Sequence, residues 1–286
     1  MHLQPTDSGR LAAFDSIRLV HRTWRAENPI GGVLIAHGFA EHGMRYGHVI
    51  DVLVPAGFSV MTFDQRGHGE SGGRRGHVDR FGDYGDDLTM MIAFARERLP
   101  GPLVLLAHSM GGLIATTVAA AGKLDVDHLV LSNPALAVKV AVPQWKIMAA
   151  RTASRWLPHV RIPTDIPPEH ISRDAQEVRA YIDDPLVFNE ATTRWGGEFL
   201  AAQDAIADAA SSVKTPHIFV QLGSADMIAD PVVNVDFFGK TGSSDCRVEV
   251  YADCYHELYN EMDSARAPIL DDLRDWLVQR AQRVAA

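Results

Sequence analysis

Three residues of this chain have the types, the order and the surroundings to act as nucleophile, acid and base: Ser109, Asp226 and His256. Ser109 lies within LVLLAHSMGGLIATTVAAAG (103–122), where a short apolar run of strand type passes directly into small residues of helical character. A strand, a tight turn and a helix hold one side chain in a strained position above a sheet. The residues two places either side of it must be small so that strand and helix can approach. Here they are Ala107 and Gly111, so one methyl group replaces the first glycine of the usual G-x-S-x-G. Taken alone, a serine among glycines after a strand can also be a simple turn residue. Partners elsewhere decide.

Asp226 follows the apolar run HIFVQL (217–222), and His256 follows Arg247–Tyr251 in Asp253-Cys254-Tyr255-His256. An acid and then a histidine, each just past a strand, complete the chain order Ser, Asp, His. Each has another reading. Asp226 or Asp230 could cap the helix after Pro231, and HELYN (256–260) resembles the zinc motif H-E-x-x-H until Asn260 stands where the second ligand belongs. Joint order and context favour the triad. Acyl transfer by such a triad needs two N–H donors for the oxyanion. The run GGVLIAH (31–37) has the continuous apolarity of a strand buried on both faces, and Phe39 lies in the loop at its carboxyl end, where a ligand crevice forms. The backbone N–H groups of Phe39 and Met110 are therefore the natural oxyanion pair. His37, Glu41 and His42 could also suggest a metal, but no further ligand set is recognisable, so neither metal nor cofactor is expected.

The elements that must position these residues alternate. Phe14–Arg25 reads as one or two antiparallel edge strands, Tyr46–Ala56 as a helix, Phe58–Asp64 as a buried strand, Asp83–Leu99 as a helix and His128–Leu131 as a strand. This β–α alternation predicts an α/β fold with a mostly parallel central sheet flanked by helices. GHGESG (67–72) satisfies G-x-G-x-x-G after a strand, but Gly73–His77 prolongs the loop where a nucleotide site needs a helix N-terminus. It reads as a structural loop. At Asn133-Pro134 the composition shifts, and residues 135–211 are helical in character, broken at Pro143, Pro158, Pro163 and Pro167-Pro168, with no buried strand run. The expected organisation is a core in two parts, 1–133 and 211–286, with an inserted helical cap at 134–210. Within it, Trp145, Ile147, Met148, Trp156 and Leu157 are read as packing on the core or on one another in preference to docking on a membrane.

Composition bounds the partners. The chain has 286 residues, 47% of them hydrophobic, enough for a large core. A formal net charge of −9 argues against nucleic acid. Cys246 and Cys254 have neither disulfide-framework nor zinc spacing and read as buried free thiols. The first ten residues lack a basic start and an apolar core, and no run reaches the length of a membrane span, so a cytoplasmic or peripheral protein is expected.

With these residues placed, the chain resembles the α/β-hydrolase superfamily over nearly its whole length, and within it the monoacylglycerol lipase and lysophospholipase-like branch. HGFAEHGMRY (37–46), FDQRGHGESGG (63–73), AHSMGG (107–112), GSADMIADP (223–231) and YHELYNE (255–261) carry the resemblance, and SRDAQEVRAYIDDPL (172–186) resembles the cap of that branch. Ala107 and Phe39 depart from its pattern, and Phe39 bears on the shape of the acyl site. The resemblance implies a serine carboxylic-ester hydrolase, a monoacylglycerol lipase releasing fatty acid and glycerol from a small lipid substrate. Glu41, Arg45 and Tyr181 match positions that frame the polar head there, although surface or inter-domain hydrogen bonding would equally explain them. A lysophospholipase, a short-chain carboxylesterase, a C–C bond hydrolase and a non-catalytic receptor on the same scaffold stay open. Ser109 counts against the dehalogenases and epoxide hydrolases that place aspartate at the elbow.

Overall fold

The computed structural model describes residues 2–139, 152, 154–164 and 166–285, the last three as backbone only. Its strands are β1 (Asp7–Ala12), β2 (Arg18–Trp24), β3 (Gly31–Ala36), β4 (Phe58–Phe63), β5 (Leu103–His108), β6 (His128–Ser132), β7 (Arg161–Pro163), β8 (Glu190–Thr192), β9 (His217–Gly223) and β10 (Asp245–Tyr251). The apolar runs that form β3, β4, β5 and β6 are buried at every position. Strands covered by helices on both faces have no solvent side to make polar.

Eight strands form one sheet in the order β1-β2-β4-β3-β5-β6-β9-β10. The pairings β1–β2 and β2–β4 are antiparallel, and all the others in this sheet are parallel. Parallel neighbours need long crossovers. These carry the helices α1 (Gly47–Leu53), α2 (Gly82–Arg96), α3 (Met110–Ala120), α4 (Ala175–Asp183), α5 (Thr193–Ile206), α6 (Pro231–Phe238) and, after the last strand, α7 (Asp263–Ala285). Alternate side chains of each strand face opposite layers. Leu34, Leu105, Leu129 and Val220 pack beneath α2, α3 and α5, whereas Val33, Ile35, Val104, Leu106 and Phe219 pack beneath α1 and α7. Fully burying such a side chain contributes about 1.5–3 kcal/mol, so both layers of helices are fastened to the sheet by its own alternation.

Three expectations need correcting. The first edge strand lies at Asp7–Ala12, ahead of the expected stretch, because its pairing with β2 is made by backbone groups while its side chains are mostly exposed. The segment between β6 and β9 is not purely helical: β7 and β8 pair antiparallel, with Arg161 opposite Thr192. Trp156 and Leu157 do not pack inward but are 74% and 59% exposed. Trp145, Ile147 and Met148 lie outside the described residues.

Within that segment α4 buries no residue. It is gripped along one stripe instead, at spacings of four and three that share a helix face. Glu177 meets His48 at 3.0 Å, Tyr181 lies under the Arg45 guanidinium at 4.8 Å, and Asp184 meets His42 at 2.9 Å. Helix α5 behaves differently. Thr192 caps it through Oγ1, and Trp195, Phe199, Ala202 and Ile206 enter the layer that holds α3. Among the described residues no helix is long and apolar enough to cross a membrane.

Candidate active site

Strand β5 delivers Ser109 and α3 begins one residue later. Ser109 has φ 49° and ψ −115°, a conformation a residue with a side chain adopts only when its surroundings impose it. Here its N–H donates to the Ser132 carbonyl at 3.1 Å, while its own carbonyl accepts from the N–H groups of Leu113 and Ala135, each at 3.0 Å. The helix passes so close that a Cβ on Gly111 would lie 2.3 Å from the Ala36 carbonyl oxygen. Two residues upstream, Ala107 keeps its methyl fully buried, so the strand side of the elbow has the room that the helix side lacks.

Asp226 and His256 come from the loops after β9 and β10. His256 Nε2 is 2.8 Å from Ser109 Oγ, and His256 Nδ1 is 2.7 Å from Asp226 Oδ2. With Nδ1–H donating to the carboxylate, Nε2 is left as the acceptor for the serine proton. The other Asp226 oxygen accepts from the N–H groups of Ile228 and Ala229 at 2.7 and 3.0 Å. Burial alone would lower the His256 pKa, but the Asp226 charge and hydrogen bond, with Glu257 and Glu41 behind them, outweigh it and raise the pKa above 6.5. Asp230 makes the cap instead, accepting from the Val232 N–H at the start of α6.

On the opposite side of Ser109, the loop after β3 presents one peptide edge. The His37 ring is wholly buried, with Nδ1 2.7 Å from the Gly38 carbonyl and Nε2 accepting from the Gln65 N–H at 2.9 Å. Its tautomer is thereby fixed: Nδ1–H donates to Gly38. Because the Gly38–Phe39 peptide is trans and planar, a carbonyl turned to His37 turns the Phe39 N–H away from it. Among the described residues neither the Phe39 nor the Met110 N–H donates a hydrogen bond to the protein. Two free donors on separate elements flank one serine.

Beside this centre, Glu41 Oε1 accepts from the Gly38 N–H at 2.5 Å and from the Tyr46 hydroxyl at 2.9 Å. Arg45 Nε lies 3.5 Å from Glu41 Oε2, and its terminal nitrogen pairs with Glu257, the residue after His256. Two carboxylates thus share one cation. Burial and the neighbouring Glu257 charge raise Glu41 to about 7. Glu257 is also pushed up by burial, but Arg45 and the Asn260 amide hold it below the usual glutamate value, so Glu257 carries the charge.

A cavity of about 50 Å³ opens on Ser109 and His256 and is lined also by Gly38, Glu41, Ile171 and Tyr181. Phe39, Ile166 and Tyr181 line it together with a second cavity of about 320 Å³, whose other walls include Pro168, Ile182, Val187 and Phe188. Phe39 is wedged against Trp195 and Phe188, with ring centroids 3.9 and 5.3 Å away. A small chamber of mixed lining at the nucleophile therefore adjoins a larger one whose wall exposes polar and apolar surface in about equal measure.

The profile of the Hydrolase_4 family, described as serine aminopeptidase S33, matches residues 27–263, a span that takes in all of these groups. The chain belongs to that family. It is similar to the monoacylglycerol lipase of Mycolicibacterium smegmatis, 29% identical over 93% of this chain and 95% of that one. It is likewise similar to the monoglyceride lipase of Homo sapiens, 29% identical over 96% of this chain and 91% of the relative. Among solved structures, the monoacylglycerol lipase of Paleococcus ferrophilus superposes with a TM-score of 0.83 at 27% identity, covering 91% of this chain and 98% of its own. The fold is that of the α/β-hydrolases, and this Hydrolase_4 member is a serine hydrolase.

The family frame explains residues whose roles sequence spacing left open. In this Hydrolase_4 chain His37, Glu41 and His42 are each spent on protein hydrogen bonds, to Gly38 and Gln65, to Gly38 and Tyr46, and to Asp184. No cluster of three metal-ligating side chains occurs among the described residues. The 67–72 glycines wind around Asp64, which accepts from the Glu70 and Gly43 N–H groups, and no helix starts between β4 and Gly82. Cys246 and Cys254 are free, the first half-buried and the second buried, and burial raises both thiol pKa values. Glu257 was not anticipated: its partner Arg45 is 212 residues away in the chain.

Proposed function

We propose that this serine hydrolase is a monoacylglycerol lipase, with Ser109 as nucleophile, His256 as general base and acid, and Asp226 as its orienting carboxylate. One observation carries the reading: the 2.8 Å contact from His256 Nε2 to Ser109 Oγ opens on a small chamber that adjoins a cavity of about 320 Å³ with Phe39, Ile166, Ile182, Val187 and Phe188 in its wall. The names of the relatives support it. His256 takes the Ser109 proton as Oγ attacks the ester carbonyl, and the oxyanion lies between the N–H groups of Phe39 and Met110. His256 then protonates the departing glycerol oxygen. Water repeats the sequence on the acyl-enzyme, with His256 again as base, and the fatty acid leaves.

In this reading the core at 1–133 and 211–286 carries the chemistry, and 134–210 is a cap that selects the substrate. The acyl chain fills the larger cavity, and Arg45, Tyr181 and the Oε2 side of Glu41 face the glycerol hydroxyls. Exposed Trp156, Leu157 and Ile182 suit peripheral contact with a lipid surface. The test is a substrate panel on the wild type and Ser109→Ala. Long-chain monoacylglycerol should exceed triacylglycerol, lysophospholipid and butyrate esters in kcat/KM, and a fluorophosphonate should label Ser109. A preference for butyrate esters would overturn the lipase reading, and ester hydrolysis retained by folded Ser109→Ala would overturn the mechanism.

A further inference from the structure

The oxyanion loop is held by two handles on one residue. His37 Nδ1–H holds the Gly38 carbonyl, and Glu41 Oε1 holds the Gly38 N–H. Gly38 itself is squeezed between that carboxyl and the nucleophile. A Cβ placed on it would lie 2.9 Å from Glu41 Oε1 and 3.1 Å from Ser109 Cβ. A side chain there would have to displace one of the two, so the position suits glycine. The next turn residue, Ala40, has φ 66°, a conformation that side chains disfavour, so the loop does not rest in this shape by preference. Something must hold it there.

We propose that Glu41 is a positioning residue for the acyl-transfer step, its Oε1 fixing the Gly38 N–H so that the adjoining Phe39 N–H stays aimed at the oxyanion. This rests on the oxyanion assignment made above and concerns what keeps that donor in place. Glu41 is suited to the task because it is itself fixed from three sides. Gly38 N–H and the Tyr46 hydroxyl bind Oε1, the Arg45 guanidinium stands beside Oε2, and Glu257 anchors that guanidinium in turn. The residue is 3% exposed, so in the intact loop its carboxyl, and not bulk water, satisfies the Gly38 N–H. Without Glu41, the buried Gly38 N–H would lack a partner. The loop would then gain by turning that N–H toward another acceptor, and Phe39 would turn with it. What the loop requires is an acceptor oxygen at Oε1, not a charge. A neutral carboxyl or an amide provides one.

The test compares the wild type, Glu41→Ala, Glu41→Gln and Ser109→Ala on a long-chain monoacylglycerol and on a nitrophenyl ester of the same acyl chain. A trifluoromethyl ketone with that chain, which forms a tetrahedral adduct on the serine, reports the oxyanion site directly. Glu41→Ala should lower kcat on both substrates by about 10²-fold, the effect of losing one oxyanion donor. KM for the nitrophenyl ester should stay within about threefold, since the interaction lost is made in the transition state. Ketone affinity should fall in step with kcat, and Glu41→Gln should recover most of both. The proposal is overturned if Glu41→Ala keeps kcat, if its loss is confined to monoacylglycerol, or if glutamine is as damaging as alanine. If Glu41→Ala does not fold, Tyr46→Phe decides: it loosens Glu41 while leaving the Gly38 contact. A parallel fall of a few fold in kcat and ketone affinity supports the proposal, and unchanged values overturn it. Activity in Ser109→Ala would instead sink the hydrolase mechanism, whatever Glu41 does.

Discussion

Mild acid should destabilise this protein far more than its carboxylates would suggest, because it buries neutral histidines that cannot accept a proton in place. His37, His68 and His108 are 0%, 0% and 5% exposed, and burial lowers each pKa to about 3; His128 is 4% exposed and lowered to about 4. The hydrogen bonds show why. His37 Nε2 faces the Gln65 N–H, so a proton there would set donor against donor. His68 and His108 bond to backbone carbonyls through Nδ1, and among the described residues neither ring nitrogen of His128 has a partner. The unfolded chain takes up protons near pH 6.5 and the folded one does not, so stability is full above that value and drains as pH falls toward 3. Between pH 7 and pH 5 each such group costs a little under about 2 kcal/mol, roughly 7 to 8 for the four. Glu41, held near 7 in the fold, works in the opposite sense and returns about 2 kcal/mol as it protonates. Asp87 and His256, also raised, add to that return, while His21 and His77, lowered by burial, add to the loss. The net loss is about 5 kcal/mol, a large share of a typical 5–15. Urea unfolding followed through the five tryptophans at pH 7 and pH 5 measures it directly. His128→Phe, set against the Trp276 ring at 5.8 Å, should shrink the difference by about 2 kcal/mol. A change of less than about 1 kcal/mol between the two pH values, or a His128→Phe difference equal to the wild type's, would refute the reasoning.

Other outcomes test the reaction centre. Asp226→Asn should reduce kcat by about 10⁴ by holding His256 in the wrong tautomer, whereas Asp230→Asn should keep kcat and cost at most about 1 kcal/mol at the start of α6; the reverse ranking moves the acid to Asp230. kcat/KM should rise with pH through a pKa above 6.5, because only neutral His256 accepts the serine proton; an inflection below 6.5 contradicts the dominance of the Asp226 charge over burial. Tyr181→Phe should lower kcat/KM about fivefold on monoacylglycerol with little change on the nitrophenyl ester, one hydroxyl hydrogen bond being at stake. Equal losses on both would remove Tyr181 from the head-group site.

What the sequence made legible was chemistry tied to strand ends. Ser109 and Asp226 each follow an apolar run and His256 an alternating one, and the structure brings the three side chains together. The loop at 67–72 was equally readable, since Gly73–His77 leaves no place for a helix. Side chain to backbone contacts left no such trace. Nothing in the spacing of His37 or Glu41 says that both hold Gly38, because a bond to a backbone group demands no particular partner residue. Glu257 was hidden for a related reason, its ion pair being closed by tertiary packing alone. β1 was missed because a strand that pairs through its backbone and buries little carries almost no apolar alternation. Trp156 and Leu157 were assigned inward on hydrophobicity, which says that a side chain prefers cover but not where cover exists.

The place at which the segment between β6 and β9 leaves and rejoins the sheet has its own consequence. The two strands are hydrogen-bonded neighbours, Leu129 against Ile218 and Ser132 against Gln221, and they run parallel, so the chain departs at one edge of the sheet and returns at the other, roughly 14 Å away. Helix α5 already provides the crossover that parallel neighbours require, tied to the core by the Gln203 amide on the Ala135 carbonyl. The described residues between Val138 and Glu190 add an excursion to that crossover, and lengthening such a connection costs little. The proposed catalytic residues follow β5, β9 and β10, strands paired within the central sheet and not with the excursion. Evolution or an engineer can thus vary the excursion, keeping the Ile171 carbonyl that holds the Glu257 N–H, and meet a new substrate with the same proposed serine, histidine and aspartate.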